Sequence, residues 1–383
     1  MTALVPTQEE RRICILFHES AILGAGVSVL RAAECLRSHG WKSSGWFPGT
    51  GPLPAGSAAV LENRGYASKP IAFSLRGWRR EPGVAQRLRR TPAYLGAFKR
   101  WLQQEHPDVV HVNSLQMLPE ATIARRLVFP VVLQVHEIPS PGLKRDLTLR
   151  WAAAIADVLV GVSQPVADML AVHARDTPVL MIQNGVPRVD ARPAPKGTFI
   201  VGTIGHVSRT KGTDVFLRAA SLALETHPDI RFEHVGPTRP WGDDEYEDEV
   251  EAMANSPVLR DSVTMLGHQP AGDAYARWSA FVLSSRQEAF PLSTLEAMAS
   301  GVPVIATRVG GIPEQIVHLE HGILVPPDDA AAVAGWIRRL HDDRDLRARL
   351  ATGGRARTRG TFTLESQAEG LNRAYEQAMR RRK

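Results

Sequence analysis

Short runs rich in Val, Ile and Leu recur along the whole chain, each followed by a stretch of helical spacing, and this alternation limits the possible folds more than any other feature. In the first half the runs are "ICILFH" (13–18), "VVHVN" (109–113), "VVLQVHE" (131–137), "VLVGVS" (158–163) and "VLMIQNG" (179–185), with "SSGWF" (43–47) as a further strand after the helical "VSVLRAAECLRSHG" (27–40). In the second half they are "FIVGTIG" (199–205), "RFEHVG" (231–236), "VTMLG" (263–267), "FVLSS" (281–285), "PVIAT" (303–307) and "GILVP" (322–326). A strand that is apolar at nearly every position is covered on both faces. Strands that alternate with helices pair in parallel through right-handed crossovers. The expected class is therefore α/β, with two Rossmann-like parallel-sheet domains facing across a cleft.

Between the halves lies "PRVDARPAPKG" (187–197), polar, unpatterned and punctuated by Pro187, Pro193 and Pro195. It reads as a linker and as the expected hinge of a domain closure. We place a first domain at 1–187, the linker at 188–197, a second domain at 198–365, and a C-terminal helix at 366–383 packing back toward the first domain. A chain of 383 residues with a 44% hydrophobic fraction can bury a full core in each domain.

No apolar run approaches the roughly 18 to 20 residues that span a bilayer. The N-terminal stretch lacks the pattern of a signal peptide. Cys14 and Cys35 are the only cysteines, which suits a reducing compartment better than a disulfide framework. The expected location is cytoplasmic. Net charge is +6, and the excess is local. Residues 71 to 100 hold Arg76, Arg79, Arg80, Arg87, Arg89, Arg90, Lys99 and Arg100 against Glu81 alone. A solvated face and an anionic membrane surface both fit this segment, since Trp78, Leu88, Tyr94 and Phe98 interleave with the charges. No nucleic-acid motif accompanies it, so no nucleic-acid partner is expected. The acidic run "DDEYEDEVE" (243–251) reads as a solvated helix face.

Four stretches can carry chemistry. In "SSRQEAFPLSTLEAMASGVPVIAT" (284–307) a strand runs through a loop into a helix stopped at Gly301. Unpaired N–H groups at such a helix start attract an anion. Glu288 precedes the turn, and Glu296 sits one turn further in. Two readings of Glu296 stand level: a carboxylate for vicinal hydroxyls such as those of a ribose, or the closing member of a Ser293-x-x-Glu296 capping box. In "GTIGHVSRTKGTDVFLRAA" (202–220), Gly205 and Gly212 permit a tight path, and Arg209 and Lys211 bring positive charge to a helix N-terminus, where a diphosphate could bind. In "HESAILGAGVSVLRAA" (18–33), Gly24 and Gly26 begin a dinucleotide fingerprint that fails at Val29, which disfavours a nicotinamide cofactor and a Rossmann oxidoreductase. Finally His136 and His111 stand at the carboxyl ends of neighbouring apolar runs, with His136 the better candidate. There is no His-x-x-x-His or cysteine cluster, so no protein-held metal is expected.

Taken together, the spacing of Glu288 and Glu296, the following "AMASGVPVIATRVGGIPE", and "PDVVHVNS", "GVSQPVADML", "IQNGV" and "VPPDD" resemble the family 4 retaining glycosyltransferases over nearly the whole chain. That resemblance implies the GT-B fold and transfer of a sugar from a nucleoside-diphosphate sugar to an acceptor hydroxyl, without a cofactor. By the resemblance, Glu288 contacts the donor sugar. The backbone of Ala289, Phe290 and Leu292 lines its pocket, with Pro291 and Thr294 beside them, and Glu296 holds the ribose. Lys211 binds the diphosphate, and Gly24, Gly26 and Gly205 allow close approach. His136 sits beside the transferring sugar, and Gly267 and His268 lie near the base. The family usually has Arg where this chain has His206, leaving His206 or Arg209 to supply that contact. The implied donor is UDP- or GDP-linked. The implied acceptor is a lipid-linked glycan, a polysaccharide or a small molecule, reached by a cytoplasmic protein that is peripheral on the inner membrane face if the basic segment binds lipid. A sugar-nucleotide epimerase of the same fold and a non-catalytic nucleotide-sugar binding protein are the alternatives.

Overall fold

The computed structural model describes residues 10–18, 24–48, 65–67, 84–190, 197–238 and 243–382, with the backbone alone at 47–48, 65–67 and 84–90. The chain forms two compact units, Met1–Gly185 with Leu364–Lys383, and Val186–Thr363.

The first unit is built on seven parallel strands: β1 (Arg11–Leu16), β2 (Trp41–Pro48), β3 (Gly65–Ala67), β4 (Val109–Val112), β5 (Val131–Val135), β6 (Val158–Gly161) and β7 (Val179–Met181). Their order is β3-β2-β1-β4-β5-β6-β7, so the winding reverses between β1 and β4. Strands β4, β5 and β6 are buried at every residue, which is why their sequences are apolar without alternation. The second unit has β8 (Ile200–Ile204), β9 (Arg231–Val235), β10 (Val263–Met265), β11 (Ala280–Leu283), β12 (Val304–Thr307) and β13 (Ile323–Val325) in the order β10-β9-β8-β11-β12-β13. Its winding reverses between β8 and β11, which pair in parallel. The expected class is observed: two parallel α/β sheets. Every apolar run forms a strand within it, and β3 joins a sheet without having been read from its sequence.

The C-terminal helix Leu364–Arg380 packs on the first unit through its apolar face, with Ala368, Leu371, Ala374, Tyr375 and Ala378 all fully buried. Tyr375 stands edge-on to Trp41 at 5.3 Å, and its hydroxyl lies 2.9 Å from His111 Nδ1. Trp41 Nε1 donates to Asn372 Oδ1 at 2.7 Å. Nearby, Gln367 donates to Ser28 Oγ, Ser28 donates to Asn184 Oδ1, and the Gly185 amide donates back to Gln367 Oε1. The "IQNGV" stretch thus pins one end of this helix.

Two readings of the sequence change here. Phe98 is not an interface anchor: it is fully buried, in edge contact with Trp46 at 5.3 Å, and Tyr94 is buried beside it with its hydroxyl accepting from Trp46 Nε1. Their apolar area favours a packed cluster over a wet surface. Trp78 and most of the arginine-rich segment lie outside the described residues, as does most of the 187–197 linker. The acidic run forms helix Asp244–Ala254, but not an all-solvated one, since Tyr246, Glu247 and Val250 are buried.

Candidate active site

At the winding reversal of an open α/β sheet the loops beyond the strand ends splay apart, which is where such folds bind ligands. In the second unit those loops follow β8 (205–212) and β11 (284–291). Lys211 Nζ donates to Glu288 Oε1 at 2.6 Å, joining the two. Glu288 is 8% exposed and its Oε1 also accepts from Ser285 Oγ at 2.8 Å. Thr307 Oγ1 donates to the Ser285 carbonyl at 2.5 Å, so the neighbouring strand end fixes this loop.

Gly212 sets the turn that delivers Lys211. Its φ is +65°, and a Cβ there would lie 2.2 Å from the Ser284 carbonyl oxygen. Gly212→Ala should therefore cost about 2 kcal/mol or more in stability, the left-handed penalty plus the displaced loop. A urea-unfolding midpoint equal to wild type would show that the two loops do not meet this closely. A second close approach links the strand ends. A Cβ on Gly236 would lie 1.9 Å from the Gly205 carbonyl oxygen, and the Gly236 amide donates to the Gly267 carbonyl at 2.7 Å. Gly205, Gly236 and Gly267 thus form a side-by-side row beyond β8, β9 and β10.

Helix Leu292–Ala299 begins at the N-cap Pro291 with no side-chain cap. Proline has no N–H and no side-chain acceptor to offer the first turn, and a helix start without such a cap suits an anion. The capping-box reading is corrected: Ser293 lies inside the helix, not at its cap, so Glu296 does not close a box. The Tyr275 hydroxyl donates to the Ser293 carbonyl at 3.0 Å and reaches Glu296 Oε2 at 3.4 Å. Phe290 and Ala289 are buried, and Thr294 is fully buried with its Oγ1 unpartnered. Leu292 and Glu296 are half-buried.

Sequence reasoning missed the brace behind this site. Arg286 forks onto Asp214, with both bonds at 2.8 Å, and also donates to Asp328 Oδ1 at 2.6 Å and to the Arg209 carbonyl at 2.7 Å. Tyr246 donates to Asp214 Oδ1 at 2.6 Å, and Arg218 pairs with Asp214 as well. Burial alone would raise the Asp214 carboxyl, but the Arg286 and Tyr246 hydrogen bonds outweigh it and hold it down at about 2. Tyr246 is pushed up to about 12, first by burial and then by Asp214. This network locks both loops together. Arg209 is half-exposed, its guanidinium 4.7 Å over the Tyr246 ring and 3.6 Å from Asp243. His206 is half-buried beside Gly205, and His268 is exposed beyond Gly267.

In the first unit, His136 and Glu137 follow β5 and Asn113 follows β4. His136 Nε2 lies 3.0 Å from Asn113 Oδ1. With that oxygen accepting, the imidazole carries its proton on Nε2 and leaves Nδ1 as an acceptor. Desolvation, with the imidazoles of His111 and His18 adding to it, lowers His136 to about 3, so the ring is neutral. Glu137, unread in the sequence, braces it: Oε1 accepts from Ser114 Oγ and the Leu115 amide, and Oε2 from the His136 amide. His111, by contrast, is fully buried against Tyr375 and is a core residue. Gly24 and Gly26 are the first and third residues of helix Gly24–Leu36, so they open a helix where a turn was expected.

Residues 22–188 match the Glycosyltransferase Family 4 family, and residues 189–357 match Glycosyl transferases group 1. The chain belongs to glycosyltransferase family 4. Among relatives of this family 4 chain, the lipopolysaccharide core biosynthesis mannosyltransferase LpsB of Rhizobium meliloti is 33% identical over 195 residues, 49% of this chain and 53% of LpsB. A D-inositol 3-phosphate glycosyltransferase of Streptomyces avermitilis is 32% identical over 271 residues, 64% of this chain and 58% of that protein. The chain thus spans about half the length of these curated relatives. In fold it is similar to Anabaena HepE, solved in complex with UDP-glucose (TM-score 0.76, 18% identity, 94% of this chain and 98% of that one). It is likewise similar to sucrose-phosphate synthase of Thermosynechococcus elongatus (TM-score 0.77, 22% identity, 96% and 98%).

Proposed function

We propose that this chain is a retaining glycosyltransferase that moves a hexosyl group from a UDP- or GDP-sugar to an acceptor hydroxyl. The observation that carries the reading is the Lys211–Glu288 pair at the β8/β11 reversal, beside an uncapped helix start, in a family 4 chain. An incoming diphosphate gives Lys211 a doubly charged partner. Glu288 is then free to accept from sugar hydroxyls while Ser285 keeps it in place. Lys211 and the helix N–H groups stabilise the charge that develops on the leaving nucleoside diphosphate, so no divalent metal is needed at this step. In the first unit, neutral His136 keeps Nδ1 as an uncharged acceptor for a substrate hydroxyl, its Nε2 being held by Asn113. Among the described side chains none is an evident covalent nucleophile, which favours front-face attack, with a donor phosphate oxygen taking the acceptor proton, over a double displacement.

By their names, LpsB acts in lipopolysaccharide core biosynthesis and the Streptomyces enzyme on D-inositol 3-phosphate, a phosphorylated polyol. A net charge of +6 suits an acceptor of that anionic kind. Among the described residues no helix is long and apolar enough to cross a membrane. The test is a panel of UDP- and GDP-sugars scored for released nucleotide, with and without acceptor extracts. Failure of every donor to bind or turn over overturns the proposal.

Glu296→Gln separates ligand from fold. With no capping box to lose, unfolding should be unchanged while affinity for the nucleotide sugar falls about tenfold or more, the scale of hydrogen bonds to a charged group. Unchanged donor affinity by calorimetry removes Glu296 from the ribose site.

A further inference from the structure

On the second unit, at the amino end of the sheet and so opposite Lys211 and Glu288, two histidines and two aspartates converge. His227 sits in the turn between helix Thr213–Leu224 and β9, while His341 and Asp342 end helix Ala330–Asp342. His227 Nε2 lies 3.2 Å from Asp342 Oδ1, and His341 Nδ1 lies 2.8 Å from the same oxygen. One ligand atom from each of these three residues fits within 4.8 Å of the others.

The outer nitrogens are also occupied. His341 Nε2 lies 3.0 Å from Asp229 Oδ2, and His227 Nδ1 lies 2.8 Å from Thr226 Oγ1. Each imidazole is therefore oriented by one partner through one nitrogen and turns the other nitrogen to a shared point. That is the arrangement of a ligating histidine held by a second partner, as in carboxylate–histidine–zinc sites. Around a zinc ion with bonds of about 2.0–2.2 Å, ligand atoms stand about 3.3 Å apart; the two nitrogen–oxygen distances here are 3.2 and 2.8 Å. The edge of Phe199 packs against His341 at 5.2 Å, and the two histidine rings cross at 4.9 Å, which limits their other rotamers.

We propose that His227, His341 and Asp342 bind a zinc-class divalent ion, with Asp229 positioning His341. Two imidazole nitrogens and one carboxylate suit Zn²⁺ and disfavour Mg²⁺ and Ca²⁺, which prefer all-oxygen sites. The ion clasps two helix ends far apart in sequence and leaves a coordination position for water. Nothing in the sequence spacing marks it, because the ligands come from separate elements. The site stands on the second unit alone and does not depend on the transferase reading.

The test uses tag-free, chelator-stripped protein titrated with Zn²⁺ in the absence of nucleotide sugar. Wild type should bind one equivalent at this site and gain thermal midpoint, while Mg²⁺ and Ca²⁺ leave the midpoint unchanged. Ligating imidazoles must be neutral, so affinity should fall as pH falls. His227→Gln should lose at least tenfold in affinity. Asp229→Asn, which removes no ligand, should lose about 10- to 100-fold. Asp229 is exposed and His227 half-buried, and a denaturant curve without metal checks that both variants fold. No zinc-dependent midpoint shift in wild type, or the same affinity in wild type and His227→Gln, overturns the site.

Discussion

Lys211→Ala should lower kcat/KM with the preferred nucleotide sugar by about 10²–10³-fold, the effect of deleting one preorganised charge aimed at a leaving group. The same change should weaken binding of the nucleoside diphosphate by about 1.5–3 kcal/mol, the scale of a charge-assisted hydrogen bond. It also leaves Glu288, 8% exposed, with Ser285 as its remaining hydrogen-bond donor among the described side chains. An under-paired buried carboxylate destabilises, so part of any activity loss could come from unfolding. The double variant Lys211→Met, Glu288→Gln separates the effects, since it removes both charges at once. It should recover most of the lost stability and none of the activity. Single-variant turnover at the wild-type rate, read as nucleotide release, would take Lys211 out of the machinery.

The strands were legible because burial on both faces leaves an unmistakable apolar run, and β11 and β8 with their following loops placed Glu288 and Lys211 together. What was hidden depended on partners far away in sequence. Arg286 reads as a loop charge, and Tyr246 is embedded in an acidic run, yet both close on Asp214. His111 and His136 look alike as strand-end histidines. The difference is that β4 includes His111 and turns it inward to Tyr375, whereas β5 stops one residue before His136. Pro291 misled in another way: it starts the helix two residues before Ser293, which undoes the capping box the spacing suggests. Phe98 was masked by the basic residues around it, since a helix can carry charges on one face and a core aromatic on the other.

Acid should unfold this protein well before its carboxylates are neutralised. His111 and His234 are buried and lowered to about 4, chiefly by desolvation, and His136 is lowered to about 3. In the unfolded chain each returns to about 6.5. Between these values the unfolded state holds protons that the folded state refuses, so stability rises with pH through the window and is complete above about 6.5. Near pH 5 a histidine lowered to 4 costs about 2 kcal/mol. One such residue lies in each unit, with His136 adding to the first, so both units weaken together. Asp214, held at about 2, keeps its contribution down to the ordinary carboxylate value and loses it only below, outside this window. His341 acts in the opposite sense. Burial opposes its charge, but the hydrogen bonds to Asp342 and Asp229 prevail and raise it, so its stabilisation is present in acid and fades as pH rises through its folded value. The urea midpoint should therefore fall steeply from about pH 7 to pH 5. His111→Asn keeps an acceptor for the Tyr375 hydroxyl and removes the titration, so it should flatten that slope by about one proton. A midpoint that stays level from neutral pH to pH 5 would mean that these rings take up protons in the folded state.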